Sequence, residues 1–255
     1  MLGYEDVAAE LGRSVLLLST HGREGAPAMV TDLAGRTDGL VVLGRTVSDD
    51  VLNALARRGI PLVLLARTPL PDMDSLNAEN RATARALADH LTSAGVRGIT
   101  FVGDPDTSPD VAERLEGLEA GASAAGATVT VTSTPELDEQ SGIRAGRAVL
   151  KSGRLPDAFA CANDELALGL MTELRSGGVD VPADVLVAGW DDVMAARYAG
   201  LTTVRQPMRA LGATAARMLD ELISGRREPR HEVLATDLVI RTSTTPSTTV
   251  SKGNH

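Results

Sequence analysis

Short apolar runs alternate with helical segments along most of the chain. The clearest unit begins with the apolar run 157–161, which leads into leucine and methionine residues at helical spacing up to Gly177 and Gly178. After a turn at 181–184, a second apolar run covers 185–188. Continuous apolar runs separated by amphipathic helices indicate parallel strands that are buried on both faces. The pattern therefore predicts an α/β fold.

The same alternation predicts two doubly wound parallel-sheet lobes with three crossovers. The chain is expected to cross to the second lobe near 75–78 and to return around Gln206. The expected lobes are 1–78 plus 207–231 and 79–206 plus 232–243, and the Ser/Thr-rich tail 244–255 is expected to be disordered. The other predicted helices are 2–11, 49–58, 80–94, 109–125, 139–151 and 208–223, and the other predicted strands are 14–19, 39–43, 61–65, 99–102, 128–132 and 232–241.

The acidic composition narrows the class of function. The formal net charge is −9 and no basic stripe is visible, so this chain alone is not expected to hold DNA phosphates. No stretch approaches the roughly 18 apolar residues of a membrane span, and the start of the chain lacks an export signal. The single cysteine, Cys161, lies in a predicted strand and fits a small core residue in a reducing compartment. We therefore expect a cytoplasmic protein.

Patterns typical of catalysis are missing. There is no nucleophile elbow, phosphate loop or dinucleotide fingerprint in the sequence. The histidines lie far apart, without the spacing of metal ligands. We therefore expect no catalytic residue, no metal and no cofactor. The histidines are His21, His90, His231 and His255.

Polar residues come directly after two predicted strands. Asn163 and Asp164 follow the run 157–161, and Asp191 follows the run 185–188. In open α/β sheets, ligands sit at the carboxyl ends of the strands. Asp191 could accept two hydroxyl hydrogen bonds there, or it could be a loop residue that caps 193–197. Asn163 could face a ligand or cap the next helix, and Asp164 could take the capping role and free it.

Three segments resemble the signature segments of the effector-binding domain of LacI/GalR-family transcription regulators. They are Ala162-Asn163-Asp164-Glu165-Leu166-Ala167-Leu168-Gly169, then Gly189-Trp190-Asp191-Asp192, then Leu201-Thr202-Thr203-Val204-Arg205-Gln206-Pro207. The resemblance implies a type I periplasmic-binding-protein-like fold that binds a sugar or sugar-like metabolite in the interlobe cleft. It also implies a homodimer that binds operator DNA through a helix-turn-helix head. We expect that this head and the first strand of the family fold are absent from this chain.

The resemblance also implies a set of ligand contacts. They are Asp191, Asn163, Arg114, Gln206, Trp190, Leu137 and Ala78. Without the resemblance, Arg114 would be a solvated arginine paired with Glu113 or Glu116, and Trp190 would be a core residue. Gln206 would then be a plain loop amide.

Two departures from the family pattern put a typical hexose pocket in doubt. Leu137 stands where family members often have an aromatic residue, and Ala66 stands where many have an aspartate before an arginine. In the first lobe, Arg45, Arg67 and Glu79 could line the ligand, but each is more readily interpreted as a rim charge.

Two other classes of protein stay open at this point. A secreted solute-binding protein shares the implied fold and would lack the DNA-binding head. A hydrolase would use Asp191 with a histidine.

Overall fold

A computed structural model describes residues 2–20, 23–44 and 46–245. The helices are α1 (Leu2–Glu10), α2 (Ala26–Ala34), α3 (Asp49–Arg57), α4 (Arg81–Ser93), α5 (Pro109–Ala124), α6 (Glu139–Ser152), α7 (Asp164–Ser176), α8 (Met194–Ala199) and α9 (Met208–Ile223). The strands are β1 (Leu40–Leu43), β2 (Leu62–Leu65), β3 (Asp74–Ala78), β4 (Gly98–Val102), β5 (Thr128–Thr132), β6 (Ala158–Cys161), β7 (Leu186–Ala188), β8 (Thr203–Arg205), β9 (His231–Leu234) and β10 (Asp237–Val239).

The chain forms two compact units and passes between them three times. The first unit takes in the described residues up to Glu79 together with Pro207–Ala235. The second takes in Asn80–Gln206 and the described residues from Thr236 onward. Each unit is an α/β layer structure around a parallel sheet, which confirms the predicted fold class.

The first unit has a parallel sheet in the order β1-β2-β3-β9. Its inner strand β2 is built from leucine and valine, which suit a pleated surface buried on both faces. Two groups of buried side chains cover the sheet, one around Leu52 and Leu64 and the other around Leu76 and Met218. Helix α9 supplies the second group through its leucine, alanine and methionine positions.

The second unit has a parallel sheet in the order β5-β4-β6-β7 and an antiparallel pair, β8 with β10. The buried side chains of β6, including Phe159, pack against Leu166 and Leu170 of α7. Helices α6 and α7 approach very closely, because a Cβ atom at Gly169 would lie 2.1 Å from the carbonyl oxygen of Glu139. This packing fixes α7, whose first turn follows the carboxyl end of β6.

Several predicted elements differ from the structure. The predicted strand 14–19 is wrong: this segment is not in a strand, and Leu16 and Leu17 are exposed. A strand needs a neighbour for its backbone groups, and no strand among the described ones pairs with these residues. The pattern also missed α2, which follows a glycine and has a proline in its first turn.

The predicted strand 232–241 is also wrong as a single element. It is two strands, because β9 pairs with β3 of the first unit while β10 pairs with β8 of the second. Thr244 does not begin a disordered tail, since it is buried in a short 3-10 helix over Thr242–Thr244. The rest of the predicted tail, from residue 246, lies outside the described residues.

The two described first-lobe candidates have different surroundings. Arg67 is not a rim charge, because it is buried and its Nη1 donates to the carbonyl oxygens of Gly44 and Val47 at 2.7 and 2.8 Å. Glu79 is half-buried. Arg45 lies outside the described residues, as do His21 and His255.

Candidate functional site

The two loops that carry the predicted ligand contacts lie side by side. Strands β6 and β7 are parallel neighbours in the second unit, so the loops that follow them leave the same edge of the sheet. The backbone N–H of Asp164 donates to the carbonyl oxygen of Trp190 at 2.8 Å. The two loops are therefore joined by a main-chain hydrogen bond.

Asp191 and Gln206 are in direct contact. Gln206 Nε2 donates to Asp191 Oδ1 at 2.6 Å. The backbone N–H of Asp191 donates to the carbonyl oxygen of Val204 at 2.8 Å, which ties the loop to β8. Burial raises the pKa of Asp191, while the positive charge of Arg114 acts in the opposite direction. Asp191 does not cap α8, because Val193 occupies the N-cap position and no side chain caps that helix.

Arg114 is a buried cation. Only 6% of it is exposed, and Nε donates to Asn80 Oδ1 at 3.0 Å while Nη1 donates to the carbonyl oxygen of Ala162 at 2.7 Å. Burial lowers its pKa, and the nearby Asp191 and Asp110 raise it. The alternative of a solvated arginine is wrong, because Glu113 and Glu116 pair with Arg81 instead.

The guanidinium of Arg114 has donors to spare. An arginine carries five N–H groups and stays charged at any ordinary pH. In the part of the chain that the structure describes, two of its nitrogen atoms make hydrogen bonds, and it has no carboxylate within ion-pair distance. The second terminal nitrogen, Nη2, is thus available for a ligand.

Asn163 is the N-cap of α7. Its Oδ1 accepts from the backbone N–H of Leu166 at 2.9 Å, and its Nδ2 donates to the carbonyl oxygen of Leu137 at 2.7 Å. Of the two alternatives, the one in which Asp164 caps the helix and frees Asn163 is wrong. An amide has two N–H groups and two acceptor positions, so Asn163 keeps one of each for a ligand.

Trp190 is a core residue. It is 2% exposed and packs with Ala84 and Val204, and the guanidinium carbon of Arg114 lies 4.6 Å from its ring centroid. One face of the ring is therefore covered by Arg114, and the side chain supports the arginine. Its Nε1 has no hydrogen-bond partner among the described residues.

The last two predicted contacts lie in different surroundings. Leu137 is half-buried and packs against the core of the second unit, next to Asn163. Ala78 is buried in β3 and packs with Leu76 in the core of the first unit. The second unit thus brings together Asp191, Gln206, Arg114, Trp190, Asn163 and Leu137, and Ala78 is not among them.

Sequence analysis missed two neighbours of Arg114. Asn80 Nδ2 donates to Asp110 Oδ1 at 3.3 Å, and burial raises the pKa of Asp110. The sequence could have indicated Asp110, because it precedes Arg114 by four residues in a predicted helix. Residues four apart lie on the same face of a helix. Nothing in the local sequence shows that Asn80 faces α5.

The chain resembles known regulators over most of its length. A family profile described as a periplasmic binding protein-like domain matches residues 88–244. The GalR regulator of Escherichia coli (strain K12) is 31% identical over 256 residues, which cover 95% of this chain and 74% of GalR. The chain belongs to the LacI/GalR family of transcriptional regulators. This confirms the family that the three signature segments indicated.

Solved structures of LacI-family regulators show the same fold. The complex of the regulator CelR with cellobiose has a TM-score of 0.85 and 30% identity, and the match covers 95% of this chain and 77% of that one. A LacI-family regulator from Enterococcus faecalis V583 with bound ribose has a TM-score of 0.87 and 26% identity, with 96% and 92% covered. The first curated relatives are named as regulators, which does not favour a solute-binding protein. The chain spans 63 to 75% of their lengths.

Among the described residues, no group of three or more His, Cys, Asp or Glu side chains could hold a metal ion. Within the same part of the chain, no helix combines the length and apolar character needed to cross a bilayer.

Proposed function

We propose that this chain is the effector-sensing part of a LacI-type regulator, and that it binds a carbohydrate at the carboxyl edge of the sheet in the second unit. The observation that supports this most strongly is the electrostatic proximity of Arg114 and Asp191. A buried guanidinium with spare N–H groups lies near a carboxylate with one uncommitted oxygen. Each sugar hydroxyl both donates and accepts hydrogen bonds, so two neighbouring hydroxyls can use both groups at once.

The other residues of the site have supporting roles in this proposal. Gln206 holds Asp191 Oδ1 and leaves Oδ2 for a hydroxyl. Asn163 offers its remaining N–H and acceptor position beside the ligand. Trp190 holds Arg114 in place rather than stacking on a sugar ring, since its face is covered. Leu137 offers an apolar edge where the sugar presents C–H groups.

The comparisons favour a carbohydrate over other polar ligands. Two structures of the same fold were solved with cellobiose and with ribose. The residues collected here are those that suit hydroxyl groups: a carboxylate, a guanidinium and two amides.

Regulation would follow from coupling between the effector site and a DNA-binding head. Relatives such as GalR are named as helix-turn-helix-type regulators, and we infer that such a head belongs to the whole protein. A ligand shifts the equilibrium between two conformations only by its difference in affinity for them. The carbohydrate would therefore have to bind one arrangement of a homodimer better than the other.

Helix α8 supports a homodimer. Met194 and Tyr198 are 76% and 81% exposed and lie four residues apart, on one face of the helix. Large apolar side chains exposed together mark interaction surfaces. We expect Tyr198→Arg to shift the mass measured by light scattering towards the monomer. Leu155→Arg, at a separate exposed leucine, is the control and should leave the mass unchanged.

The sugar site is tested by titrating Trp190 fluorescence with cellobiose, ribose, galactose and glucose. Trp190 is the only tryptophan and packs under Arg114, so binding should change its emission. Asp191→Ala should abolish the saturable change, while Asp89→Ala, on the exposed face of α4, should not. If no sugar changes either the emission or the thermal stability, the proposal is contradicted.

A further inference from the structure

We propose that Asp164 is a positioning residue, whose ionised carboxylate holds the loop 189–193 in the conformation that presents Asp191 to the effector. This inference rests on the proposed function of Asp191. Asp164 itself is fully buried, and its carboxylate accepts a hydrogen bond from the loop. Its loss should lower effector affinity without unfolding the unit.

The loop that carries Asp191 is strained. Asp191 and Asp192 have φ angles of 110° and 56°, in the left-handed half of conformational space. For residues other than glycine, such a conformation is unfavourable and persists only where the surroundings impose it. Two consecutive positions of this kind therefore require strong attachments.

Asp164 provides attachments on both sides of the loop. Its Oδ2 accepts from the backbone N–H of Val193 at 2.9 Å, and its Oδ1 accepts from the hydroxyl of Thr203 at 2.6 Å. The Thr203 oxygen in turn accepts from the backbone N–H of Asp192 at 3.3 Å. One carboxylate thus receives a hydrogen bond from the loop directly and a second through the buried hydroxyl of β8.

The attachment is strongest when Asp164 is charged. An ionised carboxylate only accepts hydrogen bonds, and both of its oxygen atoms already receive one. A proton on Oδ2 would face the N–H of Val193 and break that bond. A proton on Oδ1 would reverse the bond to Thr203, because the hydroxyl would then accept from Asp164 as well as from the N–H of Asp192, and neither bond of the carboxyl group would be strengthened by a negative charge. Protonation therefore weakens the attachment of the loop whichever oxygen carries the proton.

Burial and the neighbouring charged groups bring the pKa of Asp164 into a range that can be titrated with the protein folded. Burial raises its pKa to about 6, the bonds from Thr203 and Val193 lower it, and the charges of Asp191 and Asp192 raise it. Arg114 and Cys161 also lie within electrostatic range. The attachment should weaken as the pH falls through about 6.

Gly189 shows how closely the carboxylate fits the loop. A Cβ atom at this position would lie 2.3 Å from Asp164 Oδ1. The absence of a side chain at 189 is what lets the carboxylate reach Thr203 and Val193 together.

The variants that test this are Asp164→Asn and Thr203→Val. Asp164→Asn keeps the shape but resembles the protonated form, and Thr203→Val removes the link to Asp192. The probe is whichever sugar of the four named above saturates the Trp190 signal of the wild type at pH 7.5. We expect both variants to keep the far-ultraviolet circular dichroism of the wild type and to bind at least tenfold more weakly. Wild-type affinity should fall below pH 6, and Asp164→Asn should lack that step.

A matched control is available at the opposite end of β6. Asp157 precedes β6, and its Oδ2 accepts from the backbone N–H groups of Arg97 and Gly98 at 2.7 and 2.8 Å. Asp157→Asn should leave the affinity within twofold of wild type. Wild-type affinity in Asp164→Asn, with binding still lost in Asp191→Ala, would overturn the positioning role and leave the sugar site standing.

A second measurement needs no sugar. Because the backbone of Asp164 contacts that of Trp190, the emission of the free protein should change with pH with a midpoint near 6. Asp164→Asn should remove this transition and Asp157→Asn should keep it. A midpoint that survives in Asp164→Asn contradicts the inference even if no sugar binds.

Discussion

The guanidinium carbon of Arg114 lies 4.6 Å from the centroid of the Trp190 ring, and both side chains are buried. A cation over an indole face is attracted by the ring quadrupole, more strongly when water is excluded. In the plane of the guanidinium, Nε donates to Asn80 and Nη1 donates to the carbonyl oxygen of Ala162. The arginine is thus fixed before a ligand arrives, which reduces the entropy lost on binding.

Replacing Arg114 with lysine tests whether binding needs the planar guanidinium and not only a positive charge. Arg114→Lys keeps the positive charge but loses the fixed geometry that holds Asn80, Ala162 and a ligand hydroxyl together. We expect the dissociation constant for the sugar to rise at least tenfold, as measured by calorimetric titration. Arg81→Lys is the control, because Arg81 is exposed and pairs with Glu113 and Glu116. Equal affinities of Arg114→Lys and wild type would contradict the role of Arg114.

A methyl group at position 189 should be destabilising. The Cβ atom of Gly189→Ala would lie 2.3 Å from Asp164 Oδ1 and 3.1 Å from a methyl group of Leu201, so the buried loop must shift. Forcing extra atoms into a packed interior costs about 1 to 3 kcal/mol. Urea denaturation should show a loss of this size. At Gly98 the nearest atom is 3.8 Å away, so Gly98→Ala should cost less than Gly189→Ala, and equal losses would contradict the prediction.

The charge of the effector should matter. Arg114 lies within electrostatic range of Asp191, Asp110, Glu113 and Asp164. A phosphate group would meet these carboxylates, whereas a neutral sugar would not be repelled. We expect the phosphorylated form of the effector sugar to bind at least tenfold more weakly than the neutral sugar in parallel calorimetric titrations.

Asp110→Asn should reduce the ratio between the affinities for the neutral and the phosphorylated sugar, because it removes one carboxylate beside Arg114. Glu119→Gln removes an exposed carboxylate from the same helix and should leave the ratio unchanged. If the phosphorylated sugar binds more tightly than the neutral sugar, these carboxylates do not make the site prefer a neutral ligand.

Local patterns predicted most of the fold because buried parallel strands and amphipathic helices are encoded in short stretches. Helix α9 and strand β5 have the predicted boundaries. The segment 14–19 has the composition of a strand but is not one, since strand formation also depends on a partner elsewhere in the chain. The split of 232–241 has the same origin, because β9 and β10 pair in different units.

The sequence predicted which residues belong to the candidate site better than it predicted the contacts between them. The pattern placed Asn163 and Asp191 after two predicted strands, and the parallel pairing of β6 with β7 brings them to one edge. It did not show that Arg114 is buried, because its partners Asn80 and Trp190 are distant in sequence. The sequence left the capping role open between Asn163 and Asp164, because the partners of Asp164, Val193 and Thr203, are brought near only in the folded chain.

Asp164 should make stability depend on pH with a definite sign. Its pKa rises to about 6 in the folded protein from an ordinary 3.8, mainly because of burial. The folded state then binds more protons than the unfolded state between about pH 4 and pH 6, so the free energy of unfolding falls as the pH rises through that window. The contribution is on the order of 2 to 4 kcal/mol. Asp164→Asn should remove it, so the stability of the variant relative to wild type should increase between pH 4 and pH 7 in urea denaturation.

Asp192, which follows Asp191 in the loop, has a lowered pKa and should change stability with pH in the opposite direction to Asp164. Burial alone would raise its pKa, but Arg241 and Arg205 outweigh burial and hold it below its ordinary value. A depressed pKa gives stability that is present above the unfolded value and is lost as the pH falls. Asp192→Asn should therefore lose stability relative to wild type as the pH rises from 3 to 7, while Asp164→Asn gains it. If both variants lose stability relative to wild type as the pH rises, the raised pKa of Asp164 is contradicted, and if both gain it, the lowered pKa of Asp192 is contradicted.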